Sequence, residues 1–273
     1  MAIEVVDTVC EPGGAKPNED RLGFGPHAAW VLDGATDVYP QPFLPAHNDV
    51  HYLVDRLGDF LTDHAAAAIT DDPQTLLDHV SKRMRADLAA LGFPPDRTHP
   101  TCSLGLLIDR GDTLELTRIG DATLVTAGRT VTVVDTDFYN HREAAAVAAA
   151  GPAGLSGAEA RTALLSRRQE YITGVHAEGV FSGHPDARLR VHSTTLGWDG
   201  IEHVLLCTDG FARAIGEYGL YADWPTLIKH ALDDSLASIA KTIRDHEHRQ
   251  DLDLLHAHFK TSDDLAAVLC RRR

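Results

Sequence analysis

The sequence predicts antiparallel β-sheet covered by α-helices. Three observations predict this class: apolar runs of strand length bounded by turn residues, a close succession of such runs over 103–134, and two segments with apolar residues at three- and four-residue steps. With 273 residues and 44% hydrophobic content, the chain is long enough for a sizeable core. It has no internal repeat and no stretch typical of a flexible linker, so one domain over 1–273 is the economical interpretation.

The predicted elements follow in order. Strand-like runs cover 3–9, 28–32, 203–207 and 265–270. Apolar periodicity predicts helices over 50–61 and 76–91, which we expect to cover a sheet, and further helices over 224–232 and 235–246. Short Gly and Asp turns separate four central runs, which predict an antiparallel meander over 103–108, 113–119, 122–126 and 130–134.

The segment 138–196 has a weaker pattern. It begins with an alanine-rich stretch that predicts a helix, breaks at Gly151-Pro152, and continues with a predicted helix over 156–169 and a loop rich in Gly and His. We interpret this segment as a flap inserted over the edge of the sheet.

Composition excludes several function classes. The net charge of -15 disfavours nucleic acid and anionic membranes as partners, because both would repel the protein. The start lacks a signal-peptide pattern, and no apolar stretch approaches membrane-spanning length, so we expect a cytoplasmic protein. The four cysteines are far apart and mostly in apolar segments, which indicates reduced, buried side chains rather than a zinc or redox site.

Acidic residues lie at the ends of several apolar runs. Asp33 and Asp209 each follow such a run and precede glycine, while Glu19-Asp20 and Asp263-Asp264 lie near the two ends of the chain. Carboxylates brought together from several strand ends repel one another, so a site that gathers them normally holds Mg²⁺ or Mn²⁺. For Asp33 or Asp209 alone, a simple turn is the favoured interpretation; together with Glu19, Asp20 and Asp263, the set favours a metal site.

The order of these motifs resembles the metal-dependent protein phosphatase family, type 2C, in its divergent bacterial form. The resemblance rests on Asn18-Glu19-Asp20, Val31-Leu32-Asp33-Gly34, Gly120-Asp121, Cys207-Thr208-Asp209-Gly210-Phe211 and Ser262-Asp263-Asp264-Leu265. It implies an α+β four-layer sandwich of two central antiparallel β-sheets flanked by helices on both faces. It also implies two or three Mn²⁺ or Mg²⁺ ions and a bridging water that attacks phosphoserine or phosphothreonine.

The resemblance also implies roles for individual residues. Asp33 would bridge both ions. The carbonyl of Gly34 would be a ligand of one ion, and Asp209 and Asp263 would bind the other. Glu19 and Asp20 would hold metal-bound waters, and Asp121 matches a third, weaker site. Asp33, Asp209 and Asp20 would thus carry the catalysis. Asp264 stands where the family has asparagine and is a neighbour or a substitute ligand.

Two departures from the family's sequence pattern affect substrate recognition. Many relatives have an arginine that grips the phosphate where this chain has Ala15, and the nearest cation is Lys16, which forms no bidentate contact. Ala35 stands where some relatives have a histidine that serves as a candidate general acid. Lys16 is therefore either a phosphate ligand or a solvated loop residue.

Three functions remain open. The first is a phosphatase of phosphoproteins, the second a pseudophosphatase that acts as a binding or regulatory module, and the third a phosphatase of a small phosphorylated metabolite. Histidine pairs such as His246 and His248 suggest a metal site but lack accompanying ligands at zinc spacing, so we interpret them as solvated. His141, His176 and His184 fall in or near the predicted flap and are weak candidates for substrate contact.

Overall fold

The computed structural model describes residues 2–37, 39–66, 69–139, 142, 158–250 and 262–273. The strands are β1 Ile3–Glu11, β2 Arg21–Phe24, β3 Ala28–Gly34, β4 Thr101–Asp109, β5 Thr113–Ile119, β6 Thr123–Gly128, β7 Thr132–Val134, β8 Phe181–Ser182, β9 His192–Gly197, β10 Ile201–Cys207 and β11 Leu265–Arg272. The helices are α1 Asp49–Ala65, α2 Pro73–Ala90, α3 Ala158–Thr173, α4 Asp209–Gly216, α5 Trp224–Asp233 and α6 Leu236–Gln250.

The strands form two antiparallel sheets. A five-stranded sheet has the order β1-β11-β10-β6-β7, and a six-stranded sheet contains β2-β3-β4-β5-β9 with β8 paired to β4. Apolar side chains from both sheets, including Val31, Leu116 and Val268, form the core between them. The two sheets therefore pack face to face.

Helices cover the outer face of each sheet. Helices α1 and α2 pack on the six-stranded sheet through residues such as Leu57 and Met84. Helices α4, α5 and α6 pack on the five-stranded sheet, where Phe211 and Ile239 are fully buried. The arrangement confirms the predicted α+β fold with two antiparallel sheets between helical layers.

Local sequence explains where the covering helices begin. The side chain of Asn48 accepts a hydrogen bond from the main-chain N–H of His51 at 2.7 Å and caps α1. Asp72 caps α2 in the same way and is followed by Pro73, which fits the first helical turn. The predicted helices over 50–61, 76–91, 224–232 and 235–246 are confirmed by α1, α2, α5 and α6.

The predicted meander over 103–134 is confirmed for the β4–β5 and β6–β7 pairs but wrong in the middle, where β5 and β6 do not pair. Strand β5 pairs with β4 and β9 in the six-stranded sheet, whereas β6 pairs with β10 and β7 in the other sheet. The chain crosses between sheets at Gly120, whose φ of +80° is accessible to glycine. What looked like a hairpin turn is a crossover that carries Asp121.

Other predictions had mixed outcomes. The predicted flap contains α3 and β8, while its last part, β9, belongs to the six-stranded sheet; the alanine-rich helix predicted before Gly151 lies outside the described residues. Cys102, Cys207 and Cys270 are buried as predicted, but Cys10 is exposed. Among the described helices, none combines the length and apolar character needed to cross a membrane.

Candidate functional site

One cavity gathers acidic residues from distant parts of the chain. Strand β3 ends at Asp33-Gly34, and β10 ends just before Thr208-Asp209. Because β10 and β11 are antiparallel, with Cys207 beside Ala267, the end of β10 lies next to Asp263, which comes just before β11. The residues that line this carboxylate cavity include Asp33, Gly34, Asp121, Asp209 and Asp263.

The carboxylates act on one another electrostatically. Burial raises the pKa of Asp33 well above its ordinary value, and four neighbouring carboxylates raise it further, those of Asp209, Asp20, Asp121 and Asp263. Burial is also the main cause of the raised pKa of Asp20, opposed by a hydrogen bond from Thr208. The fold has therefore concentrated negative charge at one point.

Asp20 is the least solvent-exposed of these carboxylates. It is 2% exposed, and within the described residues its Oδ2 atom is buried without a hydrogen-bond partner. A buried carboxylate oxygen without a partner is unstable unless it is protonated or a cation compensates for it. This observation fits a site for a hard divalent cation, which prefers carboxylate oxygens.

Arg213 supplies the positive charge on one side of the cavity. Its Nη2 atom lies 2.9 Å from Oδ2 of Asp263 and 3.5 Å from Oδ2 of Asp209. The side chain is 6% exposed and lies one helical turn after Asp209 on α4. Across the described residues, no three Asp, Glu, His or Cys side chains are already grouped around one point as metal ligands. The acidic donors thus fit a divalent cation, but Asp209 and Asp263 also share a guanidinium.

Glu19 and Asp264 connect the N-terminal acidic motif to β11. The main-chain N–H of Glu19 donates to Oδ2 of Asp264 at 2.6 Å, and that of Gly13 donates to Oδ1 at 2.7 Å. Both carboxylate oxygens of Asp264 therefore hold the loop before β2. Oε1 of Glu19 accepts hydrogen bonds from Nδ2 of Asn48 at 2.6 Å and from the N–H of Asp37 at 3.2 Å.

Asp121 is held in the cavity by strand β4. The Ser103 hydroxyl donates to Oδ1 of Asp121 at 2.5 Å. Ser103 pairs with Asp33 in the β3–β4 register, so it links Asp121 to the strand end that carries Asp33. Lys16 lies elsewhere: it lines a neighbouring cavity together with Glu19 and Asp37.

The basic and aromatic part of the carboxylate cavity was not predicted from the sequence. Arg167 and Arg168 from α3, Arg142, Tyr139 and Tyr171 all line it. The hydroxyl of Tyr139 donates a hydrogen bond to the carbonyl of Gly179 at 2.5 Å. Burial raises the pKa of this hydroxyl above its ordinary value of 10. The one available signal was the Arg167-Arg168 pair in a predicted helix, which is equally typical of a solvent-facing surface.

The candidate histidines divide between two locations. His176 lies 2.9 Å from Oε2 of Glu170 and within 3.2 Å of Arg142, close to residues that line the cavity. His184 packs against His99 with ring centroids 4.6 Å apart. His141 lies outside the described residues.

Comparisons with known proteins identify the fold. Neither a protein-family model nor a curated protein matches this sequence. Among solved structures, the Mycobacterium tuberculosis serine/threonine phosphatase PstP aligns over 99% of both chains with a TM-score of 0.58 at 15% identity. Its catalytic domain in complex with two manganese ions aligns over 99% of this chain and 98% of its own with a TM-score of 0.56 at 14% identity.

A third similar structure is the Staphylococcus aureus serine/threonine phosphatase Stp1. It covers all of this chain and 96% of its own length with a TM-score of 0.60 at 11% identity. At these identities the likeness concerns the arrangement of helices and strands. The chain thus has the fold of the bacterial serine/threonine phosphatases.

Proposed function

We propose that this protein is a divalent-metal-dependent phosphomonoester hydrolase, of the type that dephosphorylates phosphoserine or phosphothreonine in proteins. The observation that carries the proposal is that Asp33 and Asp209, far apart in sequence, line one cavity. Their shared environment in a fold common to phosphatases supports a common chemical task. A turn role for each aspartate alone would not require them to meet.

The acidic residues divide into direct and indirect metal contacts in this proposal. Asp33, the carbonyl of Gly34, Asp209 and Asp263 would bind two Mn²⁺ or Mg²⁺ ions, and Asp121 would bind a third, weaker ion. Glu19 and Asp20 would hold waters of those ions. Bound divalent ions supply a water of lowered pKa and neutralise charge on phosphoryl oxygens.

Other residues of the chain position these ligands. Asp264 fixes the loop of Glu19 through two main-chain hydrogen bonds, and Thr208 hydrogen-bonds to Asp20. Ala35 offers no proton to a leaving group, so protonation falls to water or to another group. The burial and raised pKa of Tyr139 make it a poor source of that proton at neutral pH.

The proposal is tested with a generic aryl phosphate and a phosphothreonine peptide in the presence of Mn²⁺. We expect turnover of at least one substrate, and we expect Asp209→Asn to abolish it while the fold is retained. Asp199→Asn is the matched control, because Asp199 is an exposed aspartate paired with Arg129. Turnover that survives in Asp209→Asn, or a folded wild type inactive on both substrates, would contradict the proposal. A panel of phosphopeptides and small phosphorylated metabolites then separates the two substrate classes.

A second candidate function is a metal-free binding or regulatory module. The ion pairs of Arg213 with Asp209 and Asp263 favour it, because a guanidinium already balances two of the carboxylates. Calorimetry distinguishes the two functions. Absence of Mn²⁺ and Mg²⁺ binding would support the binding or regulatory module, whereas metal-dependent turnover would exclude that function.

A further inference from the structure

Arg168 is a buried arginine in the wall of the carboxylate cavity. It is 8% exposed and lies on α3, and its Nη2 atom donates a hydrogen bond to the main-chain oxygen of Thr36. Thr36 is three residues beyond Asp33 and also lines the cavity. The guanidinium is therefore held against the segment that carries Asp33.

The charge of Arg168 has no ion-pair partner among the described residues. Asp37 and Glu19 act on it electrostatically, but their carboxylates are engaged elsewhere. Asp37 accepts hydrogen bonds from the N–H groups of Tyr39 and Asp49 at 2.8 and 2.9 Å, and Glu19 accepts one from Asn48. Burial lowers the pKa of Arg168, which reflects the cost of removing its charge from water.

The other two arginines of the cavity differ from Arg168 in pairing or in burial. Arg142 lies 3.2 Å from Oε2 of Glu170. A hydrogen bond from His176 is the main cause of the lowered pKa of Glu170, and the charges of Arg142 and Arg167 lower it further. Arg142 therefore has an ion-pair partner and Arg167 is only partly buried, so Arg168 is the buried cation of this cavity with the greatest need for an anion.

We propose that Arg168 binds the phosphoryl group of the substrate, in place of the arginine that is missing at Ala15. This inference rests on the proposed function, because it assumes that a phosphomonoester enters the cavity. A guanidinium is planar and donates parallel hydrogen bonds to two phosphate oxygens. The bond to Thr36 uses one donor direction and orients the group, which leaves its remaining N–H donors for a ligand. A phosphate would thus contact Arg168 on one side and the acidic centre, with its cations, on the other.

The test measures phosphate binding separately from turnover. Inorganic phosphate is titrated calorimetrically into Mn²⁺-loaded wild type, Arg168→Gln, Arg168→Lys and the control Arg129→Gln. Arg129 is an exposed arginine, paired with Asp199 outside the cavity. Mn²⁺ affinity, thermal unfolding, kcat and KM are measured for the same proteins.

We expect Arg168→Gln to bind phosphate about 10- to 100-fold more weakly, as expected for loss of charge-assisted hydrogen bonds. Its KM should rise more than its kcat falls, and its Mn²⁺ affinity should match that of wild type. The phosphate affinity of Arg168→Lys should lie between those of wild type and Arg168→Gln, because lysine retains the charge but not the fork of donors. It also provides the measurement if the glutamine variant fails to fold.

Three outcomes would overturn the inference: unchanged phosphate affinity in Arg168→Gln, parallel loss of Mn²⁺ and phosphate binding, or no phosphate binding by wild type. A wild type that binds phosphate but hydrolyses neither test substrate would contradict the proposed function. In that case weaker phosphate binding by Arg168→Gln would still support the role of Arg168.

Discussion

Replacing Asp20 by asparagine should stabilise the metal-free protein. Asp20 is buried, its Oδ2 atom has no hydrogen-bond partner among the described residues, and its pKa is raised mainly by burial and then by neighbouring carboxylates. At neutral pH the native state therefore carries either an unfavourable buried charge or a proton taken up at a free-energy cost. Asparagine has nearly the same shape, can accept the hydrogen bond from Thr208, and presents an amide N–H to the neighbouring carboxylates.

The magnitude follows from the burial of one polar group. An unsatisfied buried polar group costs about 1–3 kcal/mol. A chain of 273 residues has an unfolding entropy near 0.6 kcal/mol/K at about 2.1 cal/mol/K per residue. The substitution should therefore raise the unfolding temperature by about 2–5 °C at pH 7.5 in EDTA.

The pH dependence provides an independent check. Because the folded-state pKa of Asp20 is raised above its ordinary value of 3.8, its stabilising contribution is complete below that value and is lost as pH rises through the folded-state pKa. The stability advantage of Asp20→Asn should thus grow with pH and disappear in acid.

Thermal unfolding is followed by circular dichroism in EDTA and again in saturating Mn²⁺. Saturating Mn²⁺ should stabilise wild type more than Asp20→Asn, because the variant should bind Mn²⁺ more weakly and stabilisation by a ligand grows with the logarithm of its affinity for the native state. Asp199→Asn controls for the loss of one negative charge at an exposed position. A lower unfolding temperature for Asp20→Asn in EDTA at pH 7.5 would refute the reasoning, since it would mean that the carboxylate is already compensated within the protein.

Two further predictions concern other charged groups. Arg213→Gln should bind Mn²⁺ about 10-fold more tightly in calorimetry, because Asp209 and Asp263 lose a competing cation. In EDTA this variant should be less stable than wild type by about 3 kcal/mol. An unchanged Mn²⁺ affinity would contradict the competition between Arg213 and the metal. The pKa of His99 is lowered to about 4, mainly by burial and then by His184. Protonation of His99 should therefore lower the free energy of unfolding of wild type by about 2 kcal/mol as pH falls from 6.5 towards 4, after allowance for solvent screening. Denaturant unfolding of His99→Phe should lack this loss, and an equal loss in the variant would contradict the assignment.

Local patterns were sufficient for the elements that carry the acidic residues. Apolar periodicity predicts α1 and α2, because one face of each helix is buried against a sheet. Strand β3 and the second half of β10, Val204 to Cys207, are recognisable because they are buried and read as continuous apolar runs before Asp33 and Asp209. The proximity of these aspartates followed only from the resemblance of the ordered motifs.

Features that depend on packing between distant segments were not predictable. The segments that form β5 and β6 both have strand character in sequence, and the Gly-Asp turn between them is compatible with a hairpin or with a crossover between sheets. Which one forms depends on the competing partners β9 and β10, which lie more than 70 residues further along the chain. Arg168 likewise cannot be distinguished in sequence from a solvent-facing helix residue, because its burial depends on how α3 docks near Thr36.

The two Asp-Gly pairs show why their turn interpretation fails. A glycine required by a turn usually has positive φ, but the glycines with positive φ in the described chain do not include Gly34 or Gly210. Gly34 ends β3, and Gly210 lies in α4. A Cβ atom on Gly34 would lie 2.5 Å from the carbonyl oxygen of Glu19, and one on Gly210 would overlap that of Asp264. Each glycine thus permits a second acidic segment to approach the first, so the Asp-Gly sequence allows the carboxylates to assemble at one point.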